Sequence, residues 1–336
     1  MSNRSLANRW RDQSGARLAA QVLDRLVGGE PLDALPLGRH AGRLDLRGFS
    51  IPDPEVLATG VVAEERVGGE SAVAQARWLG GLVELRGVTM ANVDLSGGHL
   101  EHLRLFDTTL RNCHFEKAKC RDLRAWNLTV EECSFRNANL RDSALGTWYE
   151  GEGNRFRRVD FSGADLRGIA CQGAYFEDCD FSGARLQQVE FGGCEFVRCR
   201  FAGVLEEVRF LAAPTIGVDK AEPGRLEDVD LSAATLRWVD FQGVALDTVK
   251  LPPEGGEHVI VRHFPCVVRR ALERLGNDHA AGTRKLRSRL SAEADQLDEA
   301  RGIGIWHRDE LGETPEQQRF ARDLLHEVER ECAGHS

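Results

Sequence analysis

Broken every five residues, residues 95–144 read LSGGH LEHLR LFDTT LRNCH FEKAK CRDLR AWNLT VEECS FRNAN LRDSA. The first position of every block is apolar, and the same line includes Leu85, Met90 and Leu145. A second, largely apolar line lies two residues earlier, from Val83 to Ala138. A fixed internal period is the sequence signature of a repeat architecture. The stretch therefore predicts a solenoid.

A five-residue period fits neither a flat strand nor a straight helix, whose side chains repeat about every 2 and every 3.6 residues. The pattern is satisfied if the chain turns a corner after each unit, with two side chains per unit pointing inward. Four units then close a square coil of twenty residues, and successive coils stack like parallel strands at about 4.8 Å. We therefore predict an all-β solenoid, a right-handed quadrilateral parallel β-helix.

Spacings of twenty residues support this coil length. Cys113 and Cys133 lie on one inner line, and Phe181 and Phe201 lie on the other. Cys179 and Cys199 repeat the first relation. Like residues form such ladders because each coil of a solenoid contacts only its neighbours. Each pair is predicted to stack between adjacent coils.

Several units share a short motif, as in Ala164-Asp165-Leu166, Ala138-Asn139-Leu140 and Val159-Asp160-Phe161. This pattern resembles the pentapeptide repeat family, whose unit is Ala–Asp/Asn–Leu–X–X, over residues 82–251. Several members of that family are DNA mimics that bind DNA gyrase or topoisomerase IV. They protect these enzymes from quinolones or natural gyrase poisons. The resemblance thus implies a protein-binding solenoid, and through gyrase a role in antibiotic resistance.

Interruptions of the repeat divide the chain into segments. Residues 41–81 hold the first repeat units and an insertion, and the β-helix is predicted over 82–251 with phase breaks at 146–155 and 205–225. Residues 211–225 contain two prolines and two glycines, which predicts a loop. The gyrase-protecting members also use loops that interrupt the β-helix, which we call the rod. The resemblance therefore makes 146–155 and 211–225 candidate functional loops.

Both ends are predicted to be helical. An apolar stripe through Leu18, Val22 and Leu26 predicts an N-terminal cap within residues 1–40. Residues 264–275 and 286–297 carry helical spacing, and Thr314-Pro315 predicts a further helix start within the C-terminal region 252–336. These segments would cover the open ends of the β-helix, whose exposed edges otherwise invite pairing with other chains.

The last predicted helix carries an apolar face of Phe320, Leu324 and Val328. That face must be buried against the last coil or against a second copy, where one patch meets itself. Known relatives in the family often dimerise through their C-termini. The length beyond Leu251 favours a homodimer over a minimal cap, so these three residues are the predicted interface.

Seven of the nine cysteines, from Cys113 to Cys199, lie on the two inner lines, where cysteine acts as a small hydrophobic residue. We therefore expect reduced thiols in a cytoplasmic protein, without disulfides. The cysteines lack C-x-x-C spacing and the histidines are scattered, so no metal or cofactor is expected. No run of eighteen apolar residues predicts a membrane span, and no secretion signal is expected.

Acidic residues accumulate in the distal half of the repeat. Residues 142–251 hold 12 Lys and Arg against 19 Asp and Glu, whereas residues 82–141 hold 9 against 8. A DNA mimic would have to gather its acids on one face, and the candidates for that face are Asp160, Asp165, Asp180, Glu190, Asp230 and Asp240. Alternatively, these carboxylates solvate the outer wall and form hydrogen bonds at the corners.

Three classes of function stay open. The first is a non-catalytic protein-binding solenoid with a type II topoisomerase as its target. The second is a general protein-interaction scaffold with no topoisomerase role. An enzyme is the least favoured class, because no Walker, Rossmann, HExxH or GxSxG motif occurs. We expect a protein partner, no direct binding to nucleic acid and no membrane association.

Overall fold

The computed structural model describes residues 3–51, 75–79, 82–149, 151–215, 222–276, 283–295, 297 and 301–334. Most of the predicted insertion at 52–81 and the middle of the loop at 211–225 lie outside these ranges. Within the described residues, no helix is long and apolar enough to cross a membrane.

The repeat folds as predicted into a parallel β-helix with four walls per coil. Within each wall, a strand pairs in parallel with the strand about twenty residues further along the chain. Leu110 thus pairs with Val130, and Leu105 pairs with Ala125. The first wall is a seven-stranded sheet of Thr89–Ala91, Thr109–Arg111, Thr129–Glu131, Arg155–Arg157, Tyr175–Glu177, Glu195–Val197 and Arg225–Glu227.

The second and third walls are narrower and pair mainly through single residues. The second wall contains Arg43–Asp45, Val93–Asp94, His114, Ser134, Asp160, Asp180, the starts of Arg200–Glu206 and Asp230–Arg237, and Lys250. The third wall contains Ser50, His99, Lys119, Asn139, Asp165 and Arg185. Arg200–Glu206 and Asp230–Arg237 are longer strands and continue from the second wall into the third.

The fourth wall is a nine-stranded sheet. Its first strand is antiparallel to the second, and the others are parallel. Its strands are Gln75–Leu79, Leu82–Arg86, Leu103–Phe106, Arg124–Trp126, Ala144–Gly146, Ala170–Gln172, Glu190–Gly192, Arg209–Leu211 and Asp240–Gln242.

The corners explain why Asn, Asp and Gly recur between the inner positions. Asn92, Asn112 and Glu132 lie twenty residues apart, with φ of 57°, 51° and 55°. This left-handed conformation is most accessible to glycine and next to Asn and Asp. Glycine occupies it at other corners, as Gly163 and Gly183 do. The five-residue period is therefore the spacing of left-handed corners.

The core is built from the two predicted inner lines. Phe181 stacks on Phe201 with ring centroids 4.7 Å apart, and Phe176 stacks on Phe196 at 4.8 Å. The Cys113 N–H lies 3.3 Å from Cys133 Sγ in the next coil. The predicted stacking at intervals of twenty residues is confirmed, and each buried Phe contributes roughly 1.5–3 kcal/mol.

The expectation of reduced thiols holds for the rod and is wrong for the C-terminal region. The seven rod cysteines are free and buried, and burial raises the pKa of thiols such as Cys120 and Cys171. Cys266 and Cys332, by contrast, form a disulfide between two helices. Their sequence separation of 66 residues gives no indication of this contact, which arises from the packing of the helices.

Helices cover the N-terminal end of the rod. Helix α1 spans Asn3–Asn8, helix α2 spans Gln13–Gly28, and a 3-10 turn follows at Leu32–Ala34. Asp12 begins α2 by accepting a hydrogen bond from the Gly15 N–H. Val22 and Leu26 of α2 join the apolar core of the rod, so the helix closes the end of the first coil.

The C-terminal region has its own apolar core. Its helices are α3 (Phe264–Leu275), α4 (Arg284–Asp295), α5 (Arg308–Leu311) and α6 (Pro315–Ala333). It also contains an antiparallel pair of strands, His258–Arg262 with Ile303–His307, which corrects the purely helical prediction. The sequence pattern does not indicate this pair because α3 and α4 separate its two strands.

Side chains of the C-terminal region accept hydrogen bonds from two backbone N–H groups at the C-terminal end of the rod, those of Leu236 and Trp238. The Leu236 N–H donates to His258 Nε2 at 2.9 Å, and the Trp238 N–H donates to Glu310 Oε1 at 2.8 Å. Burial, with help from the nearby His307, lowers the pKa of His258. The lowered pKa keeps the ring neutral. Only a neutral ring has a nitrogen that can accept the hydrogen bond from the Leu236 N–H.

Candidate protein-interaction site

The first interruption is a short hairpin at the corner between the fourth and first walls. Trp148–Tyr149 pairs with Glu152–Gly153 in antiparallel fashion. Val130 and Phe156 pair across the first wall although they are 26 residues apart. The hairpin therefore adds six residues while the walls stay in register, which explains the one-residue phase shift in the sequence.

A buried asparagine holds this hairpin to the rod. Asn154 has no exposed surface and lies on an inner line, where most of the other residues are apolar. Its Nδ2 donates to the carbonyl oxygens of Ala125 (2.9 Å) and Leu145 (2.8 Å), and its Oδ1 accepts from the Leu128 N–H at 2.8 Å. The amide replaces ladder bonds that the hairpin interrupts. An asparagine on an inner line is the sequence signal for this role.

The second interruption leaves the same corner three coils further along, about 14 Å away at the usual strand spacing. Phe196 and Leu226 pair across the first wall although thirty residues separate them. The start of the loop packs against the two preceding coils. The Thr215 N–H donates to Gln172 Oε1 at 2.9 Å, and the Thr215 hydroxyl donates to the Glu190 carboxylate. Both interruptions thus belong to one surface.

A cleft of about 250 Å³ lies between the two interruptions. Trp148 contributes to it from the hairpin, Glu222 from the second loop, and Tyr175 and Glu195 from the coils between them. A Cβ on Gly153 would lie 2.3 Å from the Gly173 carbonyl oxygen, so the absent side chain allows the hairpin to approach the coil. We call this set of residues the corner cleft.

The chemistry of the corner cleft suits contact with a protein. Trp148 and Tyr175 are half-buried, while Glu222 is exposed. Burial and the nearby Glu177 raise the pKa of Tyr175, so its hydroxyl stays protonated and can donate a hydrogen bond. Aromatic anchors beside charged residues are typical of protein interfaces. The sequence analysis predicted the positions of the two loops. It did not identify Trp148 and Tyr175 as site residues.

The six acidic candidates lie on three different walls. Asp160, Asp180 and Asp230 are on the second wall, where Arg200 lies between the last two. Asp165 is on the third wall, and Glu190 and Asp240 are on the fourth. The single face that DNA mimicry would require is therefore not formed by these residues.

Most of these carboxylates are paired with cations. The N–O distances are 2.8 Å for Asp160 with Arg136, 2.7 Å for Asp165 with Arg167, 2.7 Å for Glu190 with Arg209, 3.0 Å for Asp240 with Arg289 and 3.8 Å for Asp230 with Lys250. Asp180 accepts from the Ser182 N–H at 2.8 Å. Burial opposes ionisation of Asp160, yet bonds from Ser162 and Arg136 outweigh it and lower its pKa. Neighbouring cations, mostly arginines, therefore offset much of the electrostatic field of these six residues.

The predicted dimer interface is largely buried within the chain. Val328 has no exposed surface, and Leu324 is partly buried against the C-terminal core. Phe320 is 47% exposed. The reason is that α6 packs on α3, an arrangement that the apolar face alone could not distinguish from contact with a second copy.

Comparisons with known proteins agree with the repeat. The model of the pentapeptide repeats matches residues 155–193 and 170–203, with eight copies. The structure of QnrB1, a plasmid-mediated fluoroquinolone resistance protein, is 20% identical over 49% of this chain and 72% of its own, with a TM-score of 0.35.

Two cyanobacterial structures are also similar. HetL, a pentapeptide repeat protein from Nostoc involved in heterocyst differentiation regulation, is 16% identical over 50% of this chain and 89% of its own, with a TM-score of 0.21. Rfr23 from Cyanothece, another pentapeptide repeat protein, is 15% identical over 34% and 63%, with a TM-score of 0.17. None of the curated proteins matches this chain.

Proposed function

We propose that this chain, a member of the pentapeptide repeat family, is a non-catalytic rod that binds a protein partner at its corner cleft. One observation carries the proposal. Two interruptions three coils apart leave the same corner and converge on a cleft that contains Trp148 and Tyr175.

Hydrogen bonds between the rod and the described parts of the two interruptions support this proposal. Asn154 anchors the hairpin from inside the rod, and Thr215 ties the second loop to Gln172 on the fourth wall. A surface held in place before binding loses less conformational entropy when a partner docks. Without these hydrogen bonds, the residues of the two interruptions would have to become ordered on binding, and this would lower the affinity for the partner.

The more specific proposal is that the partner is DNA gyrase or topoisomerase IV in the cytoplasm. It rests on the resemblance to the gyrase-protecting members of the family. Duplex DNA of about 35 Å would carry about twenty negative charges, whereas the acids of this rod lie beside arginines on three walls. The corner cleft, rather than a DNA-like wall, would then make the main contact. The alternative partner is a different protein in a general scaffold.

Combining Trp148→Ala with Tyr175→Ser is expected to weaken partner binding by at least tenfold, because central aromatic anchors often contribute about 2 kcal/mol or more. The measurement is the affinity for purified gyrase and topoisomerase IV, together with the effect on supercoiling. Deleting residues 148–153 is a second variant, since it restores a twenty-residue coil and keeps Asn154. The matched control is Trp238→Ala, which removes a tryptophan that is 42% exposed elsewhere on the rod.

The outcomes separate the site from the partner. Unchanged affinity in the double variant would contradict the corner cleft as the binding site. If the native protein at micromolar concentration neither binds nor affects either enzyme, the topoisomerase proposal fails and the scaffold alternative is favoured.

Dimerisation through the last helix stays a prediction, now centred on Phe320 and the exposed part of Leu324. We expect native protein to scatter light as a dimer and Phe320→Ser to shift it to a monomer. Truncation at Gly312 is unsuitable because it would remove Val328 and Cys332 from the C-terminal core. A monomeric native chain would contradict the prediction.

A further inference from the structure

A second cleft lies in the C-terminal region, away from the corner cleft. It has a volume of about 230 Å³, and its lining includes the guanidinium-bearing side chains of Arg308, Arg319 and Arg322. Gly255 and Gly256, whose backbone is exposed, form part of its rim. None of the nine residues that line it carries a carboxylate. We call it the arginine cleft.

The three arginines are only partly neutralised by neighbouring acids. Arg322 pairs at 2.9 Å with Asp323, which is 69% exposed. Arg308 approaches Glu257 only to 3.9 Å, and both side chains are nearly half exposed. Arg319 has no ion pair within the part of the chain that the structure describes. Because exposed ion pairs contribute about 0–1 kcal/mol, an incoming anion could replace them at little cost.

We propose that the arginine cleft binds a phosphate group. Guanidinium groups present a planar fork of N–H donors that matches phosphate oxygens, and several of them together favour a multiply charged anion over a single carboxylate. The cleft also includes Pro315 at the first turn of α6, a helix of 19 residues whose positive end favours anions. The phosphate could come from a free phosphate compound or from a phosphorylated side chain.

The cleft is also connected to the rod. His258 lies in its lining, and the His258 ring accepts a hydrogen bond from the Leu236 N–H of strand Asp230–Arg237. A ligand in the arginine cleft would therefore lie next to His258, which also bonds to the rod. Since a ligand that binds only the folded state stabilises it, phosphate should raise the melting temperature.

The test is calorimetric titration of the full chain with inorganic phosphate at constant ionic strength. We expect saturable binding, weakened about tenfold by Arg319→Ala or Arg322→Ala and further by the double variant, as loss of a charged hydrogen bond predicts. The matched control is Arg330→Ala, which removes an arginine from the same helix outside the cleft. It should change binding by less than about twofold, and added salt should weaken native binding.

Two further arms identify the source of the phosphate. A phosphoserine peptide that binds more tightly than inorganic phosphate, while its unmodified form does not bind, points to a phosphorylated protein. Equal binding of the peptide and phosphate points to a free phosphate compound. No saturable binding of either probe at millimolar concentration overturns the proposal, as does an equal loss in Arg330→Ala. The corner cleft shares no lining residue with this one, so either proposal can fail alone.

Discussion

Phe181→Asp is expected to unfold the coils around it. The ring is 2% exposed and stacks between Phe161 at 5.0 Å and Phe201 at 4.7 Å. The substitution removes this packing and buries a carboxylate without a partner, which costs several kcal/mol. That is a large part of the roughly 5–15 kcal/mol that stabilises a typical domain. Urea denaturation would measure the loss, and Leu166→Asp should behave similarly.

The control is Arg167→Ala, one residue from Leu166. The Arg167 side chain is 28% exposed and pairs with Asp165 on the outside of the third wall. We expect a change of about 0.5 kcal/mol, as is usual for a surface position. Equal losses for Leu166→Asp and Arg167→Ala would show that the inward and outward positions have been assigned incorrectly.

Asn154→Leu is expected to destabilise the protein by about 2–4 kcal/mol, although leucine is apolar and close in size. It leaves the Leu128 N–H and the Leu145 carbonyl oxygen buried without their present partner. Each such group costs about 1–3 kcal/mol. Denaturant unfolding gives the size of the effect, and proteolysis within 147–153 would show whether the hairpin is released.

Asn139→Leu is the matched control. Asn139 is half-buried on the third wall and accepts one hydrogen bond from the Arg141 N–H at 3.2 Å. Because water can replace that bond, we expect a loss below about 1 kcal/mol. If the two variants were equally stable, the buried hydrogen bonds of Asn154 would contribute nothing beyond those of an ordinary surface asparagine.

The parts of the fold that follow from local rules could be predicted from the sequence. Phe181 and Phe201 are inward because every fifth side chain of a square coil must be, and the residues between them include the corners. The helix at Pro315–Ala333 was likewise predictable, since Thr314 accepts from the Gln317 N–H as a helix cap does.

The remainder depends on contacts between distant segments. The spacing of Cys266 and Cys332 contains no signal for their disulfide, which follows from the packing of α3 on α6. The same packing buries Val328 within the chain. The apolar face of the helix alone was also compatible with burial of Val328 at a dimer interface. The corner cleft combines Trp148, Tyr175 and Glu222, whose proximity depends on how many units separate the two interruptions.

That number of units has a consequence for how such rods can diversify. From Phe156 to Phe210 the inner line holds twelve residues, one for each five-residue unit. Because twelve units make three complete coils of four walls, the two interruptions leave the rod in the same direction. Loss of a single five-residue unit in evolution would leave every remaining unit with an unchanged local sequence. It would, however, turn the second loop by a quarter of a revolution to the neighbouring corner. Deletions can therefore separate or reunite the two halves of a binding surface without altering a residue in either.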